Sequence, residues 1–347
     1  MGERHERSRG RRRGQRSERD RQPRRPQQLD EVCGLPLHLV ESVRAAFGDE
    51  GLERVTAGWE AARTRPVTLR ANTLRASLAD VTAELDAASI GWTPVPWYPD
   101  AVVLANDVRE RDVWETDAYR TGSLYLQSLS SMLPPLVLGP LPGADVLDMC
   151  AAPGGKTSQM AALGTGEAGE RAAYITACEL SRPRADKLEH NLAKLGATNV
   201  HVMRTDARQL DPLFRFDQIL VDAPCTGSGT VHTHDDHAAR GLTPELAARV
   251  ERSQRALLDR ALEVLKPGGS LVYSTCSILP RENEDVVEWV LARHADCELA
   301  KASCPWEGAA NQGLVPELLP CRLPGALVIC PTRLFEGFFV ARIEKKG

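Results

Sequence analysis

Two cysteines of this sequence stand where the chain turns away from an apolar run. Cys225 follows Asp222 in the string DAPCTGSG, and Cys276 ends the apolar stretch SLVYSTC. A cysteine thiolate is a strong nucleophile that can form a covalent bond to a substrate. Most cysteines in strands instead act as small buried hydrophobic residues. We expect that inert role for Cys150, Cys178, Cys297, Cys304, Cys321 and Cys330. Because Cys225 and Cys276 lie in turn-forming sequence, they are the candidates for nucleophilic chemistry.

A second stretch, DVLDMCAAPGGKT (Asp145–Thr157), has the pattern of a strand, a glycine-rich turn and the start of a helix. Glycine lets the backbone approach a ligand closely, and the first turn of a helix offers unpaired N–H groups. The stretch lacks the G-x-G-x-x-G pattern of dinucleotide-binding loops, and Cys150 replaces the first glycine that a P-loop requires. It therefore predicts a binding loop for another nucleotide-like ligand.

Three motifs occur in a fixed order, each at the end of a predicted strand: CAAPGGK, DAPCTGSG and STCS (Ser274–Ser277). Together they resemble the motifs of the RsmB/Nop2/NSUN family of RNA (cytosine-5)-methyltransferases, and the resemblance covers roughly residues 66–343. It implies S-adenosyl-L-methionine as the cofactor and RNA as the partner, with rRNA favoured over tRNA.

The resemblance also implies a set of cofactor-binding residues at the ends of consecutive strands, where open α/β sheets bind their ligands. Glu179 would accept hydrogen bonds from the ribose hydroxyls, Asp206 would meet the adenine amine, and Arg184 would lie near the cofactor. The full expected set is Cys150, Ala151, Ala152, Pro153, Gly154, Gly155, Lys156, Glu179, Arg184, Asp206 and Asp222.

Methylation of cytosine at C5 needs covalent help, because this carbon is a poor nucleophile until a thiolate adds to C6. By resemblance Cys276 is the nucleophile and Cys225 assists release of the product. Asp222 would bind the cytosine edge with Lys156 nearby. DNA cytosine-5 methyltransferases use the cysteine that follows proline, so the two cysteine roles could be inverted, although the Thr-Cys string favours Cys276.

Strands alternate with helices from Ala144 onward, which predicts a doubly wound, largely parallel α/β sheet. Family likeness makes it the Rossmann-like sheet of class I methyltransferases, with a late antiparallel strand near residues 337–343. Strands are expected at 145–150, 173–179, 200–204, 218–222 and 270–274, and helices near 181–195, 245–265 and 282–293.

The region before this sheet predicts a small N-terminal α+β RNA-binding domain. Helical periodicity runs from Leu29 to about Ala62. A strand with a turn is expected at 66–75, a helix near 77–88 and a short strand at 101–104. The string R-x-N-T-L-R resembles the N-terminal RNA-binding portion of the family, which implies that Arg70, Asn72 and Arg75 contact RNA phosphates; from the residues alone they would be surface residues of a small α+β unit. Residues 122–138 resemble the family's helical segment that leads into the catalytic domain. The expected division is 1–28, 29–121 and 122–347.

Composition and charge indicate a soluble protein with a basic tail. The chain has 347 residues, 42% hydrophobic and 26% charged, and no apolar run of membrane-spanning length or secretory signal. Nine cysteines in irregular spacing are typical of reduced thiols, so we expect a cytoplasmic monomer without disulfides. Residues 1–28 hold eleven arginines against four acids, although the net charge of the chain is −4. This tail should be disordered and either binds RNA phosphates or is simply solvated.

The loop VHTHDDHAARG (231–241) departs from the basic residues that family members present to RNA. His232, His234, Asp235, Asp236 and His237 could suggest a metal, but methyl transfer needs none, and we expect no metal and a mobile RNA-facing loop. Two other functions remain open. An amino-directed methyltransferase is disfavoured because Cys225 interrupts its usual motif, and a non-catalytic RNA-binding or assembly protein is disfavoured by the presence of both cysteines.

Overall fold

The computed structural model describes residues 34–166, 169–233, 241–308 and 313–347. The arginine-rich tail (1–28) and the loop residues His234, Asp235, Asp236 and His237 lie outside these ranges, so the predictions made for them stay predictions. No helix in the described ranges combines the length and the hydropathy needed to cross a bilayer.

Helices and strands occupy most of the described chain. The helices are α1 (Leu37–Ala61), α2 (Leu78–Ala87), α3 (Glu110–Trp114), α4 (Asp117–Thr121), α5 (Leu129–Leu138), α6 (Gly155–Leu163), α7 (Arg182–Leu195), α8 (Pro244–Val264) and α9 (Glu284–Leu291). The strands are β1 (Thr68–Ala71), β2 (Trp92–Pro94), β3 (Ala101–Leu104), β4 (Leu124–Leu126), β5 (Asp145–Asp148), β6 (Tyr174–Cys178), β7 (Val200–Met203), β8 (Phe216–Asp222), β9 (Leu265–Thr275), β10 (Cys297–Ala300), β11 (Leu318–Leu319), β12 (Leu327–Ile329) and β13 (Phe338–Lys345).

The large sheet confirms the predicted doubly wound arrangement. Strands β7, β6, β5, β8 and β9 lie side by side in that order and run parallel, and β13 joins β9 antiparallel. Strand order reverses between β5 and β8, and the crevice beyond the carboxyl ends at such a reversal is where open sheets bind ligands. This geometry places the ends of β5, β8 and β9 at one edge, and with them all three sequence motifs.

The N-terminal sheet is antiparallel, in the order β2-β3-β1-β4. Helix α2 covers it, starting at a capping box in which Ser77 and Asp80 satisfy each other's backbone N–H groups. The prediction of a helical segment over 122–138 is wrong at its start, because residues 124–126 form β4 and pair with Leu69–Ala71. The helix begins only after Ser128, whose hydroxyl caps the Ser131 N–H. The small sheet thus takes a strand from beyond residue 121.

Helix α1 packs against the large domain and ends beside a cysteine loop. A kink at Gly48, with φ of 72°, divides the helix into two parts. Near its end, Gly58 passes so close to the Pro331 carbonyl that a Cβ would clash with it. Trp59 is fully buried, and its indole N–H donates to the carbonyl of Ser228 at 3.1 Å. This contact supports the loop that follows Cys225 from behind.

Arg70 and Asn72 do not face RNA, which corrects the sequence prediction. Both are fully buried. Arg70 donates to Gln127 Oε1 at 2.9 Å, to the Gly155 carbonyl at 3.0 Å and to Ser158 Oγ at 2.7 Å. Asn72 Nδ2 donates to the Gly122 and Leu195 carbonyls, both at 2.8 Å. These residues join the small sheet to the helices on either side of the binding loop. Only Arg75 remains exposed.

Replacement of Arg70 by alanine should destabilise the protein by about 3 kcal/mol, because several charge-assisted hydrogen bonds are lost and buried acceptors are left unpaired. Arg75→Ala is the matched control on the same segment and should change the unfolding free energy by less than about 0.5 kcal/mol. Urea unfolding followed by circular dichroism measures both. Equal losses for the two variants would show that Arg70 does not hold the small sheet against α6.

Candidate active site

A cleft of about 540 Å³ opens at the carboxyl edge of β5, β8 and β9. This volume lies within the roughly 300–1,000 Å³ typical of small-molecule sites. Much of the sequence-predicted site lines it: Cys150, Ala151, Ala152, Pro153, Gly155, Lys156, Asp222 and Cys276. The cleft is also lined by Asp148, Ser131 and Phe338. Residues from all three motifs, far apart in the chain, therefore meet in one cavity.

The binding loop is held from both sides. Asp148, almost fully buried, accepts from the Thr157 hydroxyl at 2.7 Å and from the Cys150 N–H at 3.3 Å. Burial raises the pKa of Asp148 to about 6. On the outer side, Arg184 donates to the Ala152 carbonyl at 3.0 Å. Gly154 takes a φ of +108°, which favours glycine, and leads directly into α6. The loop is thus shaped before any ligand binds.

Lys156 and Asp222 form an ion pair inside the cleft. Lys156 Nζ lies 2.8 Å from Asp222 Oδ2 and donates to Ser131 Oγ at 2.8 Å, while the Ser274 hydroxyl donates to Asp222 Oδ1 at 2.8 Å. Burial alone would lower the pKa of Lys156, but attraction to Asp222 outweighs it and the pKa is raised. The pair presents a fixed cation and a carboxylate to a ligand in the cleft.

The sulfur atoms of Cys225 and Cys276 lie 3.1 Å apart at the edge of this cleft. The contact follows from sheet register, because Asp222 and Ser274 are neighbours on parallel β8 and β9 and each cysteine follows its strand by a few residues. A hydrogen bond with Cys276, together with burial, raises the pKa of the Cys225 thiol. Lys156 interacts electrostatically with Cys276. The two thiols therefore have different electrostatic surroundings.

Glu282 is a residue of this site that sequence reasoning missed. It is fully buried, and its carboxylate accepts from the Thr226 N–H at 2.8 Å, the Thr226 hydroxyl at 2.5 Å, the Ser277 hydroxyl at 2.8 Å and Gln254 Nε2 at 3.2 Å. The Glu282 carboxylate thus links Thr226, which follows Cys225, to Ser277, which follows Cys276. The signal in the sequence is an acid six residues after Cys276, between an apolar strand and a helix.

Four predicted cofactor residues do not line the cleft: Gly154, Glu179, Arg184 and Asp206. Glu179 is buried at the end of β6, where it accepts from the Ser181 N–H at 2.8 Å and pairs with Arg184 at 3.3 Å. Asp206 follows β7 and is bound by both arms of Arg208, at 2.8 and 2.7 Å. The hydrogen bond from Arg208 lowers the pKa of Asp206. Both acids stand at the expected strand ends, and their contact with a cofactor stays a prediction.

The other cysteines divide into two groups. Cys178, Cys297 and Cys330 are buried, whereas Cys150, Cys304 and Cys321 are partly exposed, so the expectation of burial is wrong for these three. Burial nevertheless raises the pKa of the Cys150 thiol, which therefore keeps its proton. Among the residues that the structure describes, no cluster of three or more His, Cys, Asp or Glu residues could hold a metal.

A larger cavity, of about 690 Å³, lies on the other side of the loop that carries Thr226. Its walls come mainly from α1, the start of α8 and the segment around Pro280 and Pro320. Its described lining residues include neither the Lys156–Asp222 ion pair nor Cys225 or Cys276. The reactive groups converge in the 540 Å³ cleft, which is accordingly the candidate active site.

Two family models match this chain. Residues 135–344 match the family described as 16S rRNA methyltransferase RsmB/F, and residues 35–109 match the ferredoxin-like domain of RsmF/B-like methyltransferases.

Relatives and solved structures agree with these matches. The chain is 35% identical over 323 residues to ribosomal RNA small subunit methyltransferase F of Cronobacter sakazakii, covering 86% of this chain and 62% of the relative. The chain is also 36% identical over 303 residues to the Klebsiella pneumoniae protein of that name. This match covers 82% of this chain and 59% of the relative. The chain thus spans about three fifths of the length of these relatives.

The solved structure of a methyltransferase homologue from Pyrococcus horikoshii is 31% identical, with a TM-score of 0.70, covering 90% of this chain and 100% of that one. The fold, the three motifs and these matches lead to one conclusion: the chain belongs to the RsmB/F family of rRNA methyltransferases.

Proposed function

We propose that this chain methylates C5 of a cytosine in rRNA, with S-adenosyl-L-methionine as the methyl donor. The observation that carries the proposal is the pair of thiols 3.1 Å apart, with the Lys156 ammonium on the side of Cys276. The relatives' names supply the RNA class, since both are ribosomal RNA small subunit methyltransferases.

We propose different roles for the two cysteines. Cys276 interacts electrostatically with Lys156 and ends the Thr-Cys string, so we assign it the attack on C6 of the base. Cys225 has a raised pKa through its hydrogen bond to Cys276 and burial, with the Glu282 carboxylate adding to the effect. It keeps its proton and is suited to donate a hydrogen bond to the Cys276 sulfur as that sulfur leaves C6 when the adduct breaks down.

The reaction balances with these groups. The Cys276 thiolate forms a bond to C6, and the electron pair of the C5–C6 double bond becomes available at C5. Asp222 and Lys156 would hold the N3 and N4 edge of the cytosine. S-adenosylmethionine would supply the methyl group, and the electron pair of the broken sulfur–methyl bond would leave with S-adenosylhomocysteine. C5 then loses its proton to a base, the C5–C6 double bond re-forms, and Cys276 leaves as thiolate.

The residues present fit S-adenosylmethionine, which would supply an activated methyl group in the cleft. The chemistry of the donor set matches the molecule: the Cys150–Lys156 loop presents backbone groups, and Glu179 is a buried carboxylate suited to ribose hydroxyls. Asp206, at the end of the next strand, is suited to the adenine amine. Arg184 already binds both the loop and Glu179, so it would orient the carboxylate.

The basic test of the function is transfer of a labelled methyl group to an in vitro transcript of 16S rRNA, followed by mapping of 5-methylcytosine by bisulfite sequencing. Cys276→Ala should abolish both methylation and any covalent complex. Cys225→Ala should still attack and methylate but release the product slowly, so that a protein–RNA adduct accumulates on denaturing gels.

Cys321→Ala is the control. It removes a thiol outside the cleft and should leave both methylation and adduct formation unchanged. Accumulation of adduct in Cys276→Ala, with none in Cys225→Ala, would reverse the two roles. Methyl label on an amino group instead of C5 would contradict the proposed reaction.

Glu282→Gln should loosen the contact between the loops that carry Cys225 and Cys276. The single amide oxygen of glutamine cannot accept all four hydrogen bonds, and the glutamine NH₂ group would face donors instead of acceptors. We expect kcat for methyl transfer to fall at least about tenfold, with the RNA dissociation constant little changed. The exposed Glu288→Gln on α9 is the matched control. An unchanged kcat with unchanged adduct yield would remove Glu282 from the positioning of the thiols.

Glu179→Ala should weaken S-adenosylmethionine binding by about 1–3 kcal/mol, since hydroxyl groups of the ligand would be left unpaired. Isothermal titration calorimetry with S-adenosylhomocysteine measures the loss without turnover. Glu189→Ala, an exposed acid on α7 that pairs with Arg204, should have no effect. Equal affinities for wild type and Glu179→Ala would exclude Glu179 from the cofactor site.

A further inference from the structure

A smaller cavity continues from the catalytic cleft along the junction of the two domains. Its volume is about 300 Å³, and it shares Glu110, Tyr125, Leu126 and Pro153 with the wall of the cleft. The remaining wall comes from α3, α4, β4 and one face of α7: Trp114, Tyr119, Leu124, Lys187, Asn191, Lys194 and Leu195. The shared walls show that the two cavities adjoin each other.

Trp114 gives this cavity an exposed aromatic surface. Its side chain, at the end of α3, leaves 47% of the residue exposed, although tryptophan is normally largely buried. The Trp114 and Tyr119 rings are 6.5 Å apart with their planes inclined at 35°. An exposed tryptophan next to a half-buried tyrosine, beside a candidate catalytic cleft, is characteristic of a surface that binds another molecule.

One face of α7 supplies positive charge next to these rings. Lys187 and Lys194 are seven residues apart, two helical turns, and so lie on the same face with Asn191 between them. Lys194 Nζ lies 3.9 Å from the centre of the Tyr119 ring. Neither lysine forms an ion pair with a carboxylate in the described part of the chain. Asn191 donates to the Pro153 carbonyl at 2.8 Å, which fixes this face relative to the binding loop.

We propose that this cavity holds a nucleotide of the RNA substrate next to the target cytosine. Its base stacks on Trp114, its phosphates approach Lys187 and Lys194, and the Glu110 carboxylate accepts a hydrogen bond from the base edge. Aromatic rings flanked by cations are the chemistry by which proteins bind single-stranded nucleic acid without strict sequence reading. The inference rests on the proposed RNA methylation and adds to it a path for the strand.

The test compares Trp114→Ala with Trp114→Phe, which keeps a stacking ring, and with Tyr174→Ala. Tyr174 is an equally exposed aromatic residue, at 45%, but begins β6 at the opposite edge of the sheet. Two measurements are made: methyl transfer to the 16S rRNA transcript, and fluorescence anisotropy with a labelled 12-nucleotide single-stranded RNA. Loss of one stacked base should raise the RNA KM and Kd of Trp114→Ala on the order of tenfold. Its kcat and its affinity for S-adenosylhomocysteine should be unchanged, and Trp114→Phe should restore most of the binding.

Lys187→Gln tests the phosphate contact at a side chain that is exposed and outside the core. It should reduce the slope of log Kd against log salt concentration by about 0.7, the value for one phosphate of a single strand. Unchanged RNA affinity in both Trp114→Ala and Lys187→Gln would overturn the proposal, as would an equal loss in Tyr174→Ala.

Failure of the proposed function gives a different result. Wild-type protein would then transfer no methyl group to the transcript. The anisotropy measurements on the same variants would still show whether Trp114 and Lys187 bind RNA.

Discussion

The arrangement of the candidate site depends on one buried carboxylate, Glu282, which connects the two loops that carry the cysteines. Its four hydrogen bonds come from both sides, from Thr226 after Cys225 and from Ser277 after Cys276, with Gln254 of α8 as an additional donor. A buried carboxylate is costly unless every lone pair is used, so the loops are held in the one arrangement that satisfies it. Gln254 also donates to the Pro224 carbonyl at 2.9 Å, which fixes the residue before Cys225 as well.

A second constraint connects the N-terminal domain to the same site. Arg70 is fully buried and donates to Gly155 and Ser158, in the first turn of the helix that follows the binding loop. Burial lowers the pKa of Arg70, and its hydrogen bonds offset part of the cost of burying a guanidinium. The small sheet is therefore an integral part of the site, and the Trp114 cavity lies on this junction. RNA bound at the junction would contact both domains next to the cleft.

The chemistry arises from unequal surroundings of two equal groups. Sheet register brings the two sulfur atoms to 3.1 Å. Lys156 interacts electrostatically with Cys276, whereas the hydrogen bond from Cys276, burial and the Glu282 carboxylate raise the pKa of the Cys225 thiol. The Lys156–Asp222 ion pair adds a polar surface for the base in the same cleft.

The sequence alone predicted the alternation of strands and helices, the glycine-rich loop and the two candidate cysteines, because these depend on local pattern. Alternating apolar runs, turn residues and helix starts are properties of neighbouring residues, and the structure confirms the doubly wound sheet that they predict. Only the tertiary structure decided which polar residues are buried and what they contact. Arg70 and Asn72 were wrongly predicted to face RNA, and residues 124–126 were wrongly predicted to be helical. Both errors arose because the partners of these residues lie in other segments of the chain. Glu282 was missed for the same reason: its donors lie up to 56 residues away. Burial and hydrogen bonding between distant segments depend on packing, and no local pattern encodes them.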